Sequence, residues 1–473
     1  MTELRATPAD GAASRAMAHG WVHELRALLA LGWPLIIAQL AQNALMTTDV
    51  IMLGWLGPES LAASTLANAL FITIQLFGVG VTSAVAPLVA QALGSGNLRA
   101  VRKTVRQGLW VAFSLAAVLI PMVWNIRPLY IAIGQDPELA ALAERYVHAA
   151  CWMFIPAFML VVFRSFLAAQ GATPAILIIT LAGVAANAVL NYGLIFGNWG
   201  LPRLEIAGAG VATSLVSLLM TGIMAAYVLT HRRYRRYHIL ARFFETDWTT
   251  FRRIWKIGLP VALMLVAEVG LFTFAALMQG WIGQDEVAAH AIALQLSAIA
   301  FMVPLGLSQA TTVRVGLAVG AGSAEAVRKA GWTSLGLTLA FMTFSMVLYL
   351  SLPHFLVGLF LDRMLPESQS PLLLASGLLL VAALFQLFDG TQVTMAAALR
   401  GLNDTSMPLV IALIGYWGLG FPVAYLLAFP LGMKSMGIWW GLAAGLAFVA
   451  VVLVTRFAMR ERLGLLARAT RHG

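Results

Sequence analysis

A single cysteine, Cys151, leaves nothing within the 473 residues for it to pair with, which excludes an internal disulfide and a thiolate metal cluster. Charge is equally scarce. Asp, Glu, Lys and Arg make up 11% of the chain against 60% apolar residues, and the mean hydropathy is +0.86. A fold of this composition cannot cover its apolar side chains with a polar surface, so its solvent is lipid. Catalytic signatures are missing as well. There is no GxxxxGK[ST] phosphate loop, so no nucleotide-driven step resides in this chain. HExxH, a His cluster at metal spacing and a GxSxG elbow in suitable context are also absent, which leaves enzyme chemistry no seat and predicts neither a cofactor nor a structural metal.

What the chain does have is runs of about 20 apolar residues, the length that crosses roughly 30 Å of hydrocarbon. They predict spans near 27–53, 60–90, 108–126, 149–169, 174–197, 207–230, 256–279, 286–312, 331–352, 371–396, 407–429 and 436–457. The expected fold is an all-α membrane protein of twelve transmembrane helices. Residues 27–53 form too long a run for a signal-peptide core and lack an evident cleavage site, so this stretch is expected to remain as the first helix. With residues at span ends assigned to the nearer loop, only Arg127, Arg145, Arg203, Arg363 and Lys434 of the 30 Lys and Arg fall outside the tails and the loops that follow the even-numbered spans. That bias predicts a multi-pass plasma (inner) membrane protein with both termini cytoplasmic. The formal charge of +10 then needs no nucleic acid to explain it.

Gly258 to Lys329 repeats Gly32 to Lys103 at a constant offset of 226 positions without a gap. Gly32 and Pro34 recur as Gly258 and Pro260, and Gly54-Trp55-Leu56-Gly57 recurs as Gly280-Trp281-Ile282-Gly283. Gly94-Ser95-Gly96 becomes Gly320-Ala321-Gly322, and Ala100-Val101-Arg102-Lys103 becomes Ala326-Val327-Arg328-Lys329. Apolar sequence in general does not hold glycines, tryptophans and an Arg-Lys pair in one register, so two homologous halves are present. Six helices per half return the chain to the same side of the membrane, which makes the repeat parallel and suits a transporter rocking about a central cleft. The expected organisation is a cytoplasmic tail over 1–26, an N-lobe over 27–230, a basic linker over 231–255, a C-lobe over 256–457 and a basic tail over 458–473. In the linker, arginines around Tyr234, followed by Trp248, Phe251 and Trp255, predict a segment at anionic lipid headgroups with its rings at the interface and an interfacial helix leading into helix 7; Trp21 to Arg26 precedes helix 1 similarly. Pro34, Pro87, Pro260, Pro304 and Pro422 inside the spans offer kinks.

Of the 20 acidic residues, all but Asp49, Glu268 and Asp389 lie in tails, loops or span ends. An acid at the centre of a transmembrane helix costs about 2.5 to 3.5 kcal/mol on insertion scales, so an intramembrane carboxylate points to function. The competing structural reading neutralises these acids with a buried cation, Arg164 or Arg314. Asp49 near the outer end of helix 1 and Asn187 and Asn191 in the outer half of helix 5 have compatible depths. The two asparagines, four residues apart, share a helical face, and with Asp49 they can hold a proton or a small cation. In the second half, Glu268 lies mid-helix and Asp389 in the cytoplasmic half of helix 10. Glu268 aligns with Gln42, and Asp49 with Ala275, so the two sites are not symmetric copies. His290 is read as a packed neutral ring.

These residues carry a resemblance. Asp49-Val50-Ile51-Met52 running into Gly54-Trp55-Leu56-Gly57, then Leu61-Ala62-Ala63, Val89-Ala90-Gln91, Val287-Ala288-Ala289-His290 and Ala396 to Thr405 resemble the multidrug and toxic compound extrusion (MATE) family, in its bacterial NorM-type branch, over almost the whole chain. The resemblance implies two pseudo-symmetric six-helix lobes in a V around a cavity. It also implies export of bulky, often cationic and aromatic compounds in exchange for Na+ or H+ by a functional monomer. Asp49, Asn187 and Asn191 would be the N-lobe coupling site, and Glu268 and Asp389 the C-lobe acids, with Na+ as the one metal to consider at either. One departure is Phe385, where sodium-coupled relatives can place a tyrosine one turn before the helix 10 acid.

Two rivals share parts of this pattern. A major facilitator-type exporter also has twelve helices in parallel halves, but its loop between helices 2 and 3 normally carries an acid, and Gly94 to Arg99 has none. A lipid-linked sugar flippase of the same wider superfamily would need more cavity cations than Arg164 and Arg314. A channel would need a continuous polar pore, typically built by symmetric subunits.

Overall fold

The computed structural model describes residues 20–360 and 369–471, and every regular element among them is helical. Twelve helices are long and apolar enough to span a membrane. They are α1 (Trp21–Leu56), α2 (Pro58–Gly94), α3 (Leu98–Trp124), α4 (Pro137–Ala169), α5 (Thr173–Phe196), α6 (Ile206–Thr230), α7 (Trp248–Ile282), α8 (Gln284–Gly320), α9 (Ala324–Ser351), α10 (Gln369–Gly401), α11 (Ser406–Ala428) and α12 (Lys434–Ala458). Each predicted span falls on one of them. Most of the tail over 1–26, and Arg363, lie outside the described residues.

Helix ends follow local chemistry. The Asn97 side chain accepts from the Ala100 amide at 3.0 Å and starts α3, and Ser323 accepts from the Ala326 amide at 3.2 Å and starts α9. The glycine before each cap, Gly96 or Gly322, has φ +70, and the cap amide reaches back to Ala92 O or Ala318 O. The repeated Gly-x-Gly of the sequence is therefore one helix stop built twice, with glycine where a left-handed backbone is required. Asp136 caps α4 by accepting from the Glu138 and Leu139 amides. Pro34, Pro260 and Pro304 sit within uninterrupted helices. Pro87 follows a break at Ala84, and Pro422 follows a π-helical stretch, Ile414–Gly420, in α11.

The aromatic residues before helices 1 and 7 form no separate interfacial helices. Trp21 and Trp248 open α1 and α7, which run 36 and 35 residues without interruption, well beyond the need of one crossing. In the linker, Tyr234 and Tyr237 are buried against Phe166 rather than held at an interface, and Arg232, Arg233, Arg235 and Arg236 are exposed. The following stretch is strapped to α3. Arg106 donates to Ala241 O and Arg242 O, Gln107 to Glu245 O, and Trp110 to Phe243 O, while Lys103 pairs with Asp247 at 2.9 Å. Burial opposes ionisation of Asp247, but the Lys103 ammonium and the Thr250 amide outweigh it and hold the carboxyl below its usual range.

The chain divides into two compact units, one over 37–262 and one combining 1–36 with 263–473. Their boundaries fall inside α1 and α7, so the units do not coincide with blocks drawn at 27–230 and 256–457. Within the second unit the leading part of α1 packs on α8, where a Cβ at Gly306 would overlap the backbone of Ile36. Within the first, the leading part of α7 packs on α2, where a Cβ at Gly80 would overlap the backbone of Ala262. Gly32 against Leu307 and Gly258 against Val81 extend the same two seams. Small residues that bring helix backbones together replace the hydrophobic effect as the packing force in lipid.

Candidate ion-coupling sites

The first unit places its predicted polar residues together. Asp49 Oδ1 accepts from Asn191 Nδ2 at 2.5 Å, and the same nitrogen donates to Asn187 Oδ1 at 3.2 Å. Thr213 of α6 adds a hydroxyl that donates to Asp49 Oδ2 at 3.3 Å. Asn187 and Asn191 are 0% exposed, Asp49 is half-buried, and Asn191 Oδ1 accepts no hydrogen bond. Asp49 also acts electrostatically on Tyr146, whose hydroxyl donates to Asn68 Oδ1 at 3.4 Å. The i, i+4 spacing located the asparagines. Thr213 and Tyr146 carried no such signal, because one hydroxyl in an apolar helix ordinarily bonds a carbonyl one turn back, as Thr213 also does to Ala209 O at 2.9 Å.

The second unit builds a different site. Glu268 of α7 accepts from Gln392 Nε2 of α10 at 3.0 Å, and Gln392 Oε1 accepts from the Tyr416 hydroxyl of α11 at 2.6 Å. Tyr416 lies in the π-helical stretch, an irregularity frequent at functional sites. Asp389, one turn before Gln392 on the same helical face, lies within electrostatic range of Glu268. It is 6% exposed, and its Oδ1 has no hydrogen-bond partner. Phe385, one turn earlier, is 1% exposed between Phe272 and Trp439. His290 packs on Trp439 with neither ring nitrogen bonded. Gln392 and Tyr416 escaped the sequence reading because neutral polar residues in spans are ordinarily packing partners.

The two arginines that the competing structural reading assigned to the buried acids are engaged elsewhere. Arg314 forms a bidentate pair with Glu24, and Arg164 donates to Gln39 and Gln42. Among the described residues, Asp49, Glu268 and Asp389 have no cationic partner. Gln42 and Glu268, equivalent in the repeat, therefore meet unlike partners: a guanidinium in one unit and a carboxamide in the other. No group of three or more His, Cys, Asp or Glu that could hold a metal occurs among the described residues. Asp49 and Glu268 sit instead among neutral hydroxyl and amide groups, and Asp389 shares its surroundings with Glu268, arrangements that suit a reversibly bound proton or monovalent cation.

The sequence profile of the MatE family matches residues 34–193 and 260–426, one segment in each half of the repeat. The chain belongs to the MATE family. A probable multidrug resistance protein NorM of Mesorhizobium japonicum is 44% identical over 454 residues, covering 96% of this chain and 97% of that protein. The protein of the same name in Rhizobium meliloti is 44% identical, covering 93% and 94%. Among solved structures, the eukaryotic MATE transporter AtDTX14 superposes with a TM-score of 0.86 at 20% identity over 96% of this chain and 100% of that one. An outward-facing multidrug resistance MATE family transporter of the MOP superfamily gives 0.83 at 20% identity, covering 96% and 98%. At such identity the structures establish the shared fold. Membership makes the chain a multi-pass transporter rather than an enzyme, and it removes the major facilitator alternative. MATE transporters need no cofactor.

Proposed function

We propose that the chain is a secondary active multidrug exporter that expels bulky, often cationic organic compounds in exchange for H+ or Na+. Asp49, Asn187 and Asn191 hold the ion in one half, and Glu268 and Asp389 hold it in the other. The observation that carries this reading is that, among the described residues, none of the three intramembrane acids has a cationic partner, while Arg314 and Arg456 pair with other carboxylates and Arg164 with two carboxamides. A carboxylate kept unpaired in lipid at a cost of kilocalories is free to exchange its counterion. Thr213 joins the first set as an oxygen ligand, and Gln392, steadied by Tyr416, orients Glu268 in the second.

The transporter acts as a monomer in the plasma (inner) membrane with both termini cytoplasmic, an orientation supported by the Lys and Arg bias. The exposed arginines of 231–236 meet anionic headgroups there, and no nucleic acid is involved. Names of the relatives point to efflux rather than lipid-linked sugar flipping. The test is reconstitution into liposomes with a fluorescent cationic dye, imposing proton and sodium gradients separately. Dye movement driven by at least one gradient is expected, and movement indifferent to both overturns the reading.

A further inference from the structure

The connection between α6 and α7 holds a cavity that ion coupling does not use. Val228 and Leu229 in the last turn of α6 line it, together with Ile239 and Leu240 of the linker, and so do Arg235 and His238. Its volume is about 220 Å³, suited to a headgroup rather than to a whole lipid. The apolar span ends at Thr230, and six of the next eight residues, His231 to His238, are Arg or His. The cavity therefore lies where a lipid-facing stretch gives way to basic residues, the boundary between acyl chains and headgroups.

The cations at this cavity meet nothing in the protein. Both acids of the linker are taken, Glu245 by Arg242 and Asp247 by Lys103. Arg233 donates to Gln170 O and Arg236 to the Tyr237 hydroxyl. Among the described residues the Arg235 guanidinium and the His238 ring make no hydrogen bond or ion pair, and no carboxylate lines the cavity. Apolar side chains nearby are just as bare. Leu240 is exposed and Phe244 is 83% exposed, on a segment that Arg106, Gln107 and Trp110 strap to α3. Bare apolar and basic side chains on one fixed segment make a surface that lies in a bilayer interface.

These features select a ligand. A guanidinium fork and an imidazole N–H match the two non-bridging oxygens of a phosphodiester, and the apolar walls match the glycerol and first acyl carbons below it. The ammonium of a zwitterionic headgroup would find no acid here, whereas a headgroup ending in hydroxyls brings no cation of its own. We propose that the cavity binds one anionic phospholipid of the phosphatidylglycerol type, its phosphate on Arg235 and His238 and its chains along Leu229 and Leu240. This rests on the reading that the arginines of 231–236 meet anionic headgroups, and it turns that general contact into one site.

The test titrates the full-length protein, cleared of lipid in detergent, with phosphatidylglycerol or phosphatidylcholine and counts bound lipids by native mass spectrometry. One phosphatidylglycerol should bind ahead of all others, at about a tenth of the concentration that phosphatidylcholine needs. Arg235→Gln should raise that concentration about tenfold, the worth of a charged hydrogen bond, and His238→Gln should raise it less. Ala241→Phe, which fills the cavity and keeps every charge, should also weaken binding. Arg232→Gln, an equal loss of charge on a residue that does not line the cavity, should bind as wild type does. Equal affinity of wild type for the two lipids, a result that needs no variant to fold, overturns the proposal. So does inorganic phosphate that binds wild type as tightly as the lipid, which would make the occupant a free anion, and so does unchanged binding in Ala241→Phe. Equal weakening by Arg232→Gln and Arg235→Gln defeats this site but leaves the general headgroup contact standing, whereas no weakening by either defeats both.

Discussion

Gly80 of α2 lies so close to Ala262 of α7 that a Cβ on the glycine would overlap the alanine backbone. Shifted by the repeat offset of 226, the same pair becomes Gly306 and Ile36, which make the same approach. A seam used twice should fail in the same way twice. Gly80→Leu and Gly306→Leu should each lower thermal stability in detergent by an amount corresponding to roughly 1–3 kcal/mol or more of overpacking. Gly336→Leu, where nothing stands within 4 Å of an added Cβ, serves as the control. Equal melting of all three variants would remove the seams as determinants of the fold.

Asp49→Asn, Glu268→Gln and Asp389→Asn should each cut gradient-driven export by about tenfold or more, the scale of a lost coupling free energy. Insertion and abundance should stay near those of wild type, because an amide keeps size and hydrogen bonds yet cannot exchange a proton. The same carboxylates set a pH dependence. Proton and organic cation need opposite charge states of one acid, so affinity for a permanently charged dye should fall as pH falls at fixed sodium, and Asp389→Asn should flatten that slope. Wild-type efflux by all three variants, or a pH-independent wild-type affinity at every sodium concentration, would defeat exchange at shared acids.

Tyr416→Phe removes the hydroxyl that donates to Gln392 Oε1 and leaves a buried acceptor unmatched, a loss of about 1–3 kcal/mol. Freed from this tether, Gln392 can turn away from Glu268. The expected result is a shift in the ion concentration for half-maximal transport, accompanied by a small stability loss. A stability loss with unchanged ion dependence would reduce Tyr416 to packing.

Phe385 stands one turn from Asp389, whose Oδ1 is unbonded, so Phe385→Tyr brings an oxygen to this neighbourhood. If missing ligands limit sodium at this site, transport by the variant should respond more steeply to a sodium gradient at constant pH. An unchanged sodium response, measured in the same liposomes, would show that the aromatic position does not set ion choice.

Much of this was legible before any coordinates. Span length and the thickness of a bilayer yield twelve helices, because both are one-dimensional quantities. The repeat predicted two related halves, and the cost of charge in lipid singled out Asp49, Glu268 and Asp389. Asn187 and Asn191 followed from helical spacing alone. What the sequence could not decide is which polar atoms meet across helices. The lipid-facing and core-facing sides of these spans draw on the same apolar residues, so no pattern reports the rotation of one helix against another. Only packing placed Thr213 on Asp49, Gln392 and Tyr416 on Glu268, and Arg164 on two glutamines instead of an acid. Only packing, too, drew the compact units through the middle of α1 and α7, since backbone contact at Gly80 and Gly306 is made between helices far apart in the chain and leaves no trace in either helix by itself.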